Sequence, residues 1–274
     1  MEKIAIPEKD VVAFESLGNH IAGLRILMVN IYAISRPSGE WMLIDCGLPH
    51  SEGWIRRWAA EQFGEDRRPQ AILLTHGHFD HAGSVEDLAA GWDVPVYAHA
   101  QELPYVTGKS PYPEPDPSVG GGIMATLSKL YPRGPVDVSS HVRTLPADGT
   151  IPGFPDWRWL HTPGHTAGHV SLFRAEDRAL LVGDAFCTTK QESFLAVATQ
   201  RPEMHGPPAY YTTDWDAARD SVERLAHLRP NAVGPGHGQP LAGADAANAL
   251  AQLARNFDTV ARPEQGKYVD RPAA

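Results

Sequence analysis

The six residues His76-Gly77-His78-Phe79-Asp80-His81 constrain this chain more than any other stretch of it. They place three imidazoles and a carboxylate directly after residues 70–75 (QAILLT), a short apolar run that reads as a buried strand. Side chains alternate along an extended backbone, so His76 and His78 share a face. A turn into helix near Asp80 would then aim Asp80 and His81 at a neighbouring point. One segment can thus feed two adjacent metal positions, and imidazole with carboxylate suits zinc.

Three later stretches offer ligands of the same class, each at the end of an apolar strand. His161-Thr162-Pro163-Gly164-His165 places His165 after a tight Pro-Gly turn. Leu181-Val182-Gly183-Asp184 ends in an aspartate that is costly to bury unless paired or metal-bound. Pro235-Gly236-His237-Gly238 presents a histidine between glycines. Four strand-end loops with one kind of donor are the expected layout of a composite metal site.

The rest of the chain supplies the scaffold. Residues 25–34 and 41–46 read as strands split by a turn at 37–39. Residues 51–63 have helical spacing, with Trp54, Ile55 and Trp58 inward and Ser51 as a candidate cap. A helix over 84–92 and a strand over 94–100 follow. Strands recur at 141–145, 157–162, 169–174, 179–184 and 231–237. Helices are predicted over 215–228, capped by Asp214 or Asp216, and over 244–257, after which the chain end reads as frayed. Residues 104–140 and 188–213 break the pattern. The first is rich in proline and glycine, with only ATLSKLY helical, and its length points to a mobile lid that selects substrate. Two successive groups of strands and helices predict an α/β fold, sheet on sheet and flanked by helices, with the site at one edge.

Composition narrows the partners. The 274 residues are 42% hydrophobic and 21% charged, ordinary for a globular enzyme. Against 24 lysines and arginines stand 33 aspartates and glutamates, a net charge of −9 with no basic stripe, which disfavours nucleic acid and favours a small-molecule substrate. Cys46 and Cys187 have no paired spacing, so no disulfide framework is expected. The N-terminal MEKIAIPEKDVV has no signal-peptide core, and no apolar run reaches the roughly 18 residues of a membrane span. The expected place is the cytoplasm, away from membranes. The apolar loops suit a homodimer as well as a lid.

The HxHxDH motif at 76–81, followed in order by His165, Asp184 and His237, resembles the metallo-β-lactamase superfamily, as do the phrases LIDCG and TPGHTAGH. The likeness runs from about the VNIYAI strand to PGHG. It implies a single domain over 1–274, a four-layer αββα sandwich with irregular insertions near 104–140 and 188–213. It implies two zinc ions, with iron or manganese also compatible: one on His76, His78 and His165, one on Asp80, His81 and His237, and Asp184 bridging. Asp45 resembles the aspartate that orients ligands in that family. The implied activity is hydrolysis of an ester, lactone, thioester or amide carbonyl by water activated at the metal pair, with Asp80 and Asp184 as catalytic carboxylates. The family also contains lactonases, nucleases and oxygen-handling enzymes, so the resemblance leaves the substrate open.

Two alternatives belong to other classes. An iron-dependent oxidoreductase of this fold needs one redox metal, for which a full second ligand set is superfluous. A non-catalytic metal-bearing binding protein has no need of an open second metal. Other residues read as structural: His161 and His169 as neighbours of the His165 loop, and His20, His50, His99, His141, His205 and His227 as surface or helix residues. Cys187 reads as a buried hydrophobe. Tyr210 and Tyr211 are read equally as pocket lining or as packing.

Overall fold

The computed structural model describes residues 6–15 and 17–273. The first five residues of the N-terminal stretch read above, and Ala274 at the predicted frayed end, lie outside them. The fold is mixed α/β and divides into two compact units: Met1–Tyr112 with Gly134–Leu145, and Pro113–Arg133 with Pro146–Ala274.

Among the described residues, the first unit holds a seven-stranded sheet in simple sequential order. Its strands are β1 (Val11–Phe14), β2 (Ile21–Ile26), β3 (Val29–Ser35), β4 (Trp41–Ile44), β5 (Ile72–Leu73), β6 (Val96–Ala98) and β7 (Val142–Thr144). Pairing is antiparallel from β1 to β4 and parallel from β4 to β7. The strand predicted over 25–34 is in fact a hairpin, broken at Leu27 and Met28. Leu27 takes a left-handed φ of +56°. Both arms of the hairpin are buried, so apolar residues run through the turn with no glycine, proline or asparagine at its two central positions to mark it.

Helices α1 (Glu52–Phe63), α2 (Val85–Trp92) and the single turn α3 (Leu103–Val106) complete this unit. Helix α1 buries Ile55, Trp58 and Ala59, one face at i, i+3 and i+4, while Trp54 is only half-buried. Ser51 precedes the helix but makes no capping bond through its side chain; its amide donates to Ser84 Oγ at 2.8 Å instead. Trp41 stacks on Phe63 with ring centroids 4.4 Å apart, closing the core beside Ile55, Trp58, Ile72 and Val96. Each such aliphatic side chain contributes about 1.5–3 kcal/mol by leaving water.

In the second unit, β8 (Trp157–His161), β9 (Val170–Arg174), β10 (Ala179–Gly183), β11 (Ala232–Pro235) and β12 (Leu241–Ala242) form a sheet in the order β12-β11-β10-β9-β8. Only the β10–β11 pair is parallel. Helices are α4 (Ile123–Leu127), α5 (Phe194–Thr199), α6 (Trp215–His227), α7 (Ala244–Arg255) and α8 (Phe257–Val260). Asp214, not Asp216, caps α6: its carboxylate accepts the Ala217 amide at 2.9 Å. Trp215, Ala218, Val222 and Leu225 then face Leu250, Leu253 and Phe257 in one core.

The segment 104–140 is anchored at several points. Val106 and Tyr112 are buried in the first unit, and Asp116, Ala125 and Ser128 in the second. The Asp116 carboxylate accepts the amides of Ser118 and Lys267. Near the chain end, the Ala273 amide bonds the Thr213 carbonyl at 3.0 Å. No described helix is long and apolar enough to cross a membrane.

Candidate metal centre

In the first unit the candidate donors follow the parallel pair β4–β5. Ile44 pairs with Leu73, so Asp45 and Thr75 leave the sheet side by side at the strands' carboxyl ends. Asp45 is 3% exposed and sits at a left-handed φ of +63°, unusual for a residue with a side chain. That backbone is held by what its carboxylate receives. Oδ1 accepts the Thr75 amide at 2.7 Å, and Oδ2 accepts Thr75 Oγ1 at 2.7 Å and His81 Nδ1 at 2.8 Å.

These bonds select tautomers. His81 donates through Nδ1, which leaves the lone pair on Nε2. The Thr75 hydroxyl spends its proton on Asp45, so at 3.1 Å from His76 Nδ1 it accepts, and His76 too carries its lone pair on Nε2. His76 Nε2 faces His78 Nδ1 at 3.0 Å. Two ligands of one tetrahedral zinc, each about 2.0–2.1 Å from it, lie roughly 3.3 Å apart. The ligand atoms of His76 and His81, and of Asp80 and His81, lie within 4.8 Å of each other. His76 and His81 are fully buried, His78 nearly so, and Asp80 is half-buried.

In the second unit the parallel pair β10–β11 repeats the arrangement. Gly183 pairs with Pro235, so Asp184 and His237 emerge at neighbouring strand ends. His165 comes from the turn between β8 and β9. Gly164 holds that turn at φ +135°, and a Cβ on it would meet Ala218 Cα at 2.4 Å. His165 Nε2 and His237 Nε2 both face one oxygen of Asp184, Oδ2, at 3.5 and 3.3 Å. His165 is fixed as His76 is: the Thr212 hydroxyl donates to the Pro208 carbonyl at 2.9 Å and receives His165 Nδ1 at 3.3 Å. All three residues are buried.

The donor chemistry fits divalent metal in both units. Each gathers buried imidazoles beside carboxylate, and the tautomers of His76, His81 and His165 are set by partners behind the rings. Zinc, iron and other first-row divalent ions take such donors.

Other sequence readings resolve as follows. His169 is buried and bonded to Thr162 Oγ1 at 2.9 Å and to the Asp184 amide at 2.9 Å, a link to a ligand that no motif marked. His161 bonds the Ala167 carbonyl. His205, read as a surface or helix residue, is instead 7% exposed, in a backbone bridge with Cys187 that ties residues far from any histidine motif. Cys187 is fully buried, as expected. Burial pushes the Cys46 thiol well up, and the Asp45 charge adds to it, which makes that thiol a poor nucleophile. Tyr210 and Tyr211 are buried and pack against Tyr131 at 6.0 and 6.5 Å. Sequence reading missed Glu102 and Tyr112, which both bond the Gly77 amide between two ligands.

Comparison with known proteins agrees with this geometry. The family model described as metallo-beta-lactamase superfamily matches residues 24–237, a span that includes every candidate donor named above. The chain is 46% identical over 242 residues to the probable metallo-hydrolase YflN of Bacillus subtilis (strain 168), covering 88% of this chain and 92% of that protein. TTHA1623, solved in a di-iron-bound form, is similar at 27% identity with a TM-score of 0.54, over 80% of this chain and 93% of that one. The B3 metallo-beta-lactamase BLEG-1 shares the fold, with a TM-score of 0.57 at 23% identity over 84% and 92% of the two chains.

Proposed function

We infer that this chain, which belongs to the metallo-β-lactamase superfamily, is a hydrolase of small-molecule carbonyl substrates that works with two zinc ions. His76, His78 and His165 would hold one ion, Asp80, His81 and His237 the other, and Asp184 both. The observation that carries the reading is the pair of imidazole Nε2 atoms facing the single oxygen Asp184 Oδ2. One carboxylate oxygen set toward two differently placed imidazoles is what a ligand shared by two ions needs.

When bound, such a pair lowers the pKa of a water toward roughly 7 and polarises a carbonyl oxygen. The chain's own residues do the rest. Asp45 and Thr75 hold His81 and His76 in the ligating tautomer. Asp80, half-buried beside His81, can carry a proton on its carboxylate between the site and solvent. No side-chain nucleophile is required, in keeping with the buried cysteines.

Substrate choice is assigned to the irregular segments. Ile123, Leu127 and Leu130 in the first, and Phe194 and Leu195 in the second, are large apolar side chains between 41% and 78% exposed. The Met124 amide approaches the Glu192 carbonyl at 3.4 Å, so the two segments adjoin. Exposed apolar patches of this kind mark binding surfaces, and this one supports substrates with an apolar portion.

A second reading has a specific support. A relative of this fold is described in a di-iron-bound form, and the same donors take iron. Elemental analysis of aerobically purified protein decides the metal. Two zinc per chain with hydrolysis of esters, lactones, thioesters or β-lactams supports the first reading. Iron with oxygen consumption supports the second. One ion per chain under metal-replete conditions, or no turnover across the panel, overturns the two-zinc hydrolase. Asp184→Ala is expected to release both ions more readily than His237→Ala does.

A further inference from the structure

The peptide between the first two ligands is gripped from elsewhere in its unit. Gly77 N–H lies 2.8 Å from Tyr112 Oη and 3.1 Å from Glu102 Oε2, a bifurcated bond to two acceptors. The Tyr112 hydroxyl in turn donates to Glu102 Oε2. Glu102 is fully buried, in a single 3-10 turn at Ala100–Glu102, and Tyr112 is 3% exposed. Placing a carboxylate there costs free energy unless it is hydrogen-bonded, and these two donors help meet that need.

The grip reaches the ligand rings. The Tyr112 ring lies against His78 with centroids 4.3 Å apart, and Tyr105 stacks on Tyr112 at 3.9 Å, backing it into place. Gly77 is glycine for a steric reason: a Cβ would meet Val106 Cγ1 at 2.8 Å and Tyr112 Oη at 2.9 Å. The peptide orientation that sets the His76-to-His78 spacing is therefore fixed by a clamp whose members lie 25 and 35 residues away.

We propose that Glu102 and Tyr112 are positioning residues for His76 and His78, holding the Gly77 amide so that His76 Nε2 and His78 Nδ1 meet at ligating distance. The proposal rests on the metal reading above for its consequence, but the geometry it describes belongs to the metal-free chain as well. Neither residue touches the reacting atoms; each acts through the 76–78 backbone.

The test uses the full chain and the variants Tyr112→Phe, Glu102→Ala and Glu102→Gln, with two readouts. The first is the histidine ring nitrogen spectrum and the amide exchange of Gly77 in metal-free protein. The second is zinc affinity by competition with a chromophoric chelator, paired with the absorption spectrum after cobalt substitution. Tyr112→Phe and Glu102→Ala are expected to shift the His76 and His78 ring signals, speed Gly77 exchange, and weaken one zinc equivalent by about 10–100-fold, the range for partners that orient ligands. Glu102→Gln keeps an acceptor for Gly77 N–H and is expected to fall between Glu102→Ala and the wild type. Tyr112→Phe removes one hydroxyl and keeps the ring, so it decides the matter if Glu102→Ala does not fold. Ring signals and Gly77 exchange unchanged in Tyr112→Phe overturn the proposal, as does wild-type zinc affinity and cobalt spectrum in protein that binds zinc. A wild-type chain that takes up no metal while its ring signals still respond to the variants overturns the metal reading and upholds the clamp.

Discussion

His169 Nε2 accepts the backbone amide of Asp184 at 2.9 Å. The imidazole must therefore carry its proton on Nδ1, which faces the Thr162 carbonyl at 3.1 Å. One fully buried ring thus ties the loop after β8 to the residue that follows β10, and that residue carries the carboxylate faced by His165 and His237. His169→Ala is expected to leave the fold intact and weaken metal retention about 10-fold or more, by releasing the Asp184 backbone. Chelator competition checks this. Unchanged retention would show that Asp184 is held by its strand alone.

Asp45 makes the matching prediction in the first unit. Its carboxylate receives a backbone amide, a hydroxyl and an imidazole, all at 2.7–2.8 Å. Asparagine keeps the shape but has only one acceptor oxygen, so His81 or Thr75 loses its partner in a buried place. Asp45→Asn should cost about 1–3 kcal/mol in urea unfolding of metal-free protein. It should also lose the ion assigned to Asp80, His81 and His237 before the other. Loss of both ions together would argue that the 75–81 segment as a whole has moved.

The candidate donors were legible because chemistry and order coincide: four donors in six residues, then His165, Asp184 and His237, each in a loop that follows an apolar strand. Asp45, at the end of β4, was marked only by the family resemblance. The residues that hold those donors in place were not legible. Glu102 and Tyr112 reach Gly77 across 25 and 35 residues, and Tyr112 lies in a proline-rich stretch whose composition suggests a loop. His169 stands in the TPGHTAGH phrase, yet nothing in its spacing says that its ring meets the Asp184 amide. The hairpin at Leu27 and Met28 was hidden because burial on both arms erases the change in period that marks a turn.

The anchoring of 104–140 changes how a role in substrate choice is best tested. Excising 111–122 would remove Tyr112 and the buried Asp116 carboxylate that holds Ser118 and Lys267, so the fold would suffer with the function. Replacing Ile123, Leu127 and Leu130 by serine touches only exposed or half-exposed side chains. Stability should change by no more than about 0.5 kcal/mol per site. Turnover of substrates with long apolar substituents should fall relative to short ones, read as kcat/KM across an acyl series. An unchanged ratio would remove this patch from substrate selection.

The last prediction concerns acid and rests on His205. Burial lowers its pKa below the usual 6.5 by penalising the charged ring; the Glu192 carboxylate pulls the other way and the Lys190 ammonium adds to the lowering. The unfolded chain takes up this proton near pH 6.5, while the folded chain resists it until lower pH. Between those two values the unfolded state binds more protons, so stability rises with pH there. The contribution of a neutral, buried His205 is complete above about pH 6.5 and is lost as pH falls through the folded value. Urea unfolding of metal-free protein from pH 8 down to pH 5 should show this loss. His205→Gln cannot titrate, so its stability should fall less over the same range, even if it starts lower. Every other residue is common to the two proteins and cancels in the comparison. Parallel pH profiles for the two would mean that His205 takes its proton in the folded chain as readily as in the unfolded one.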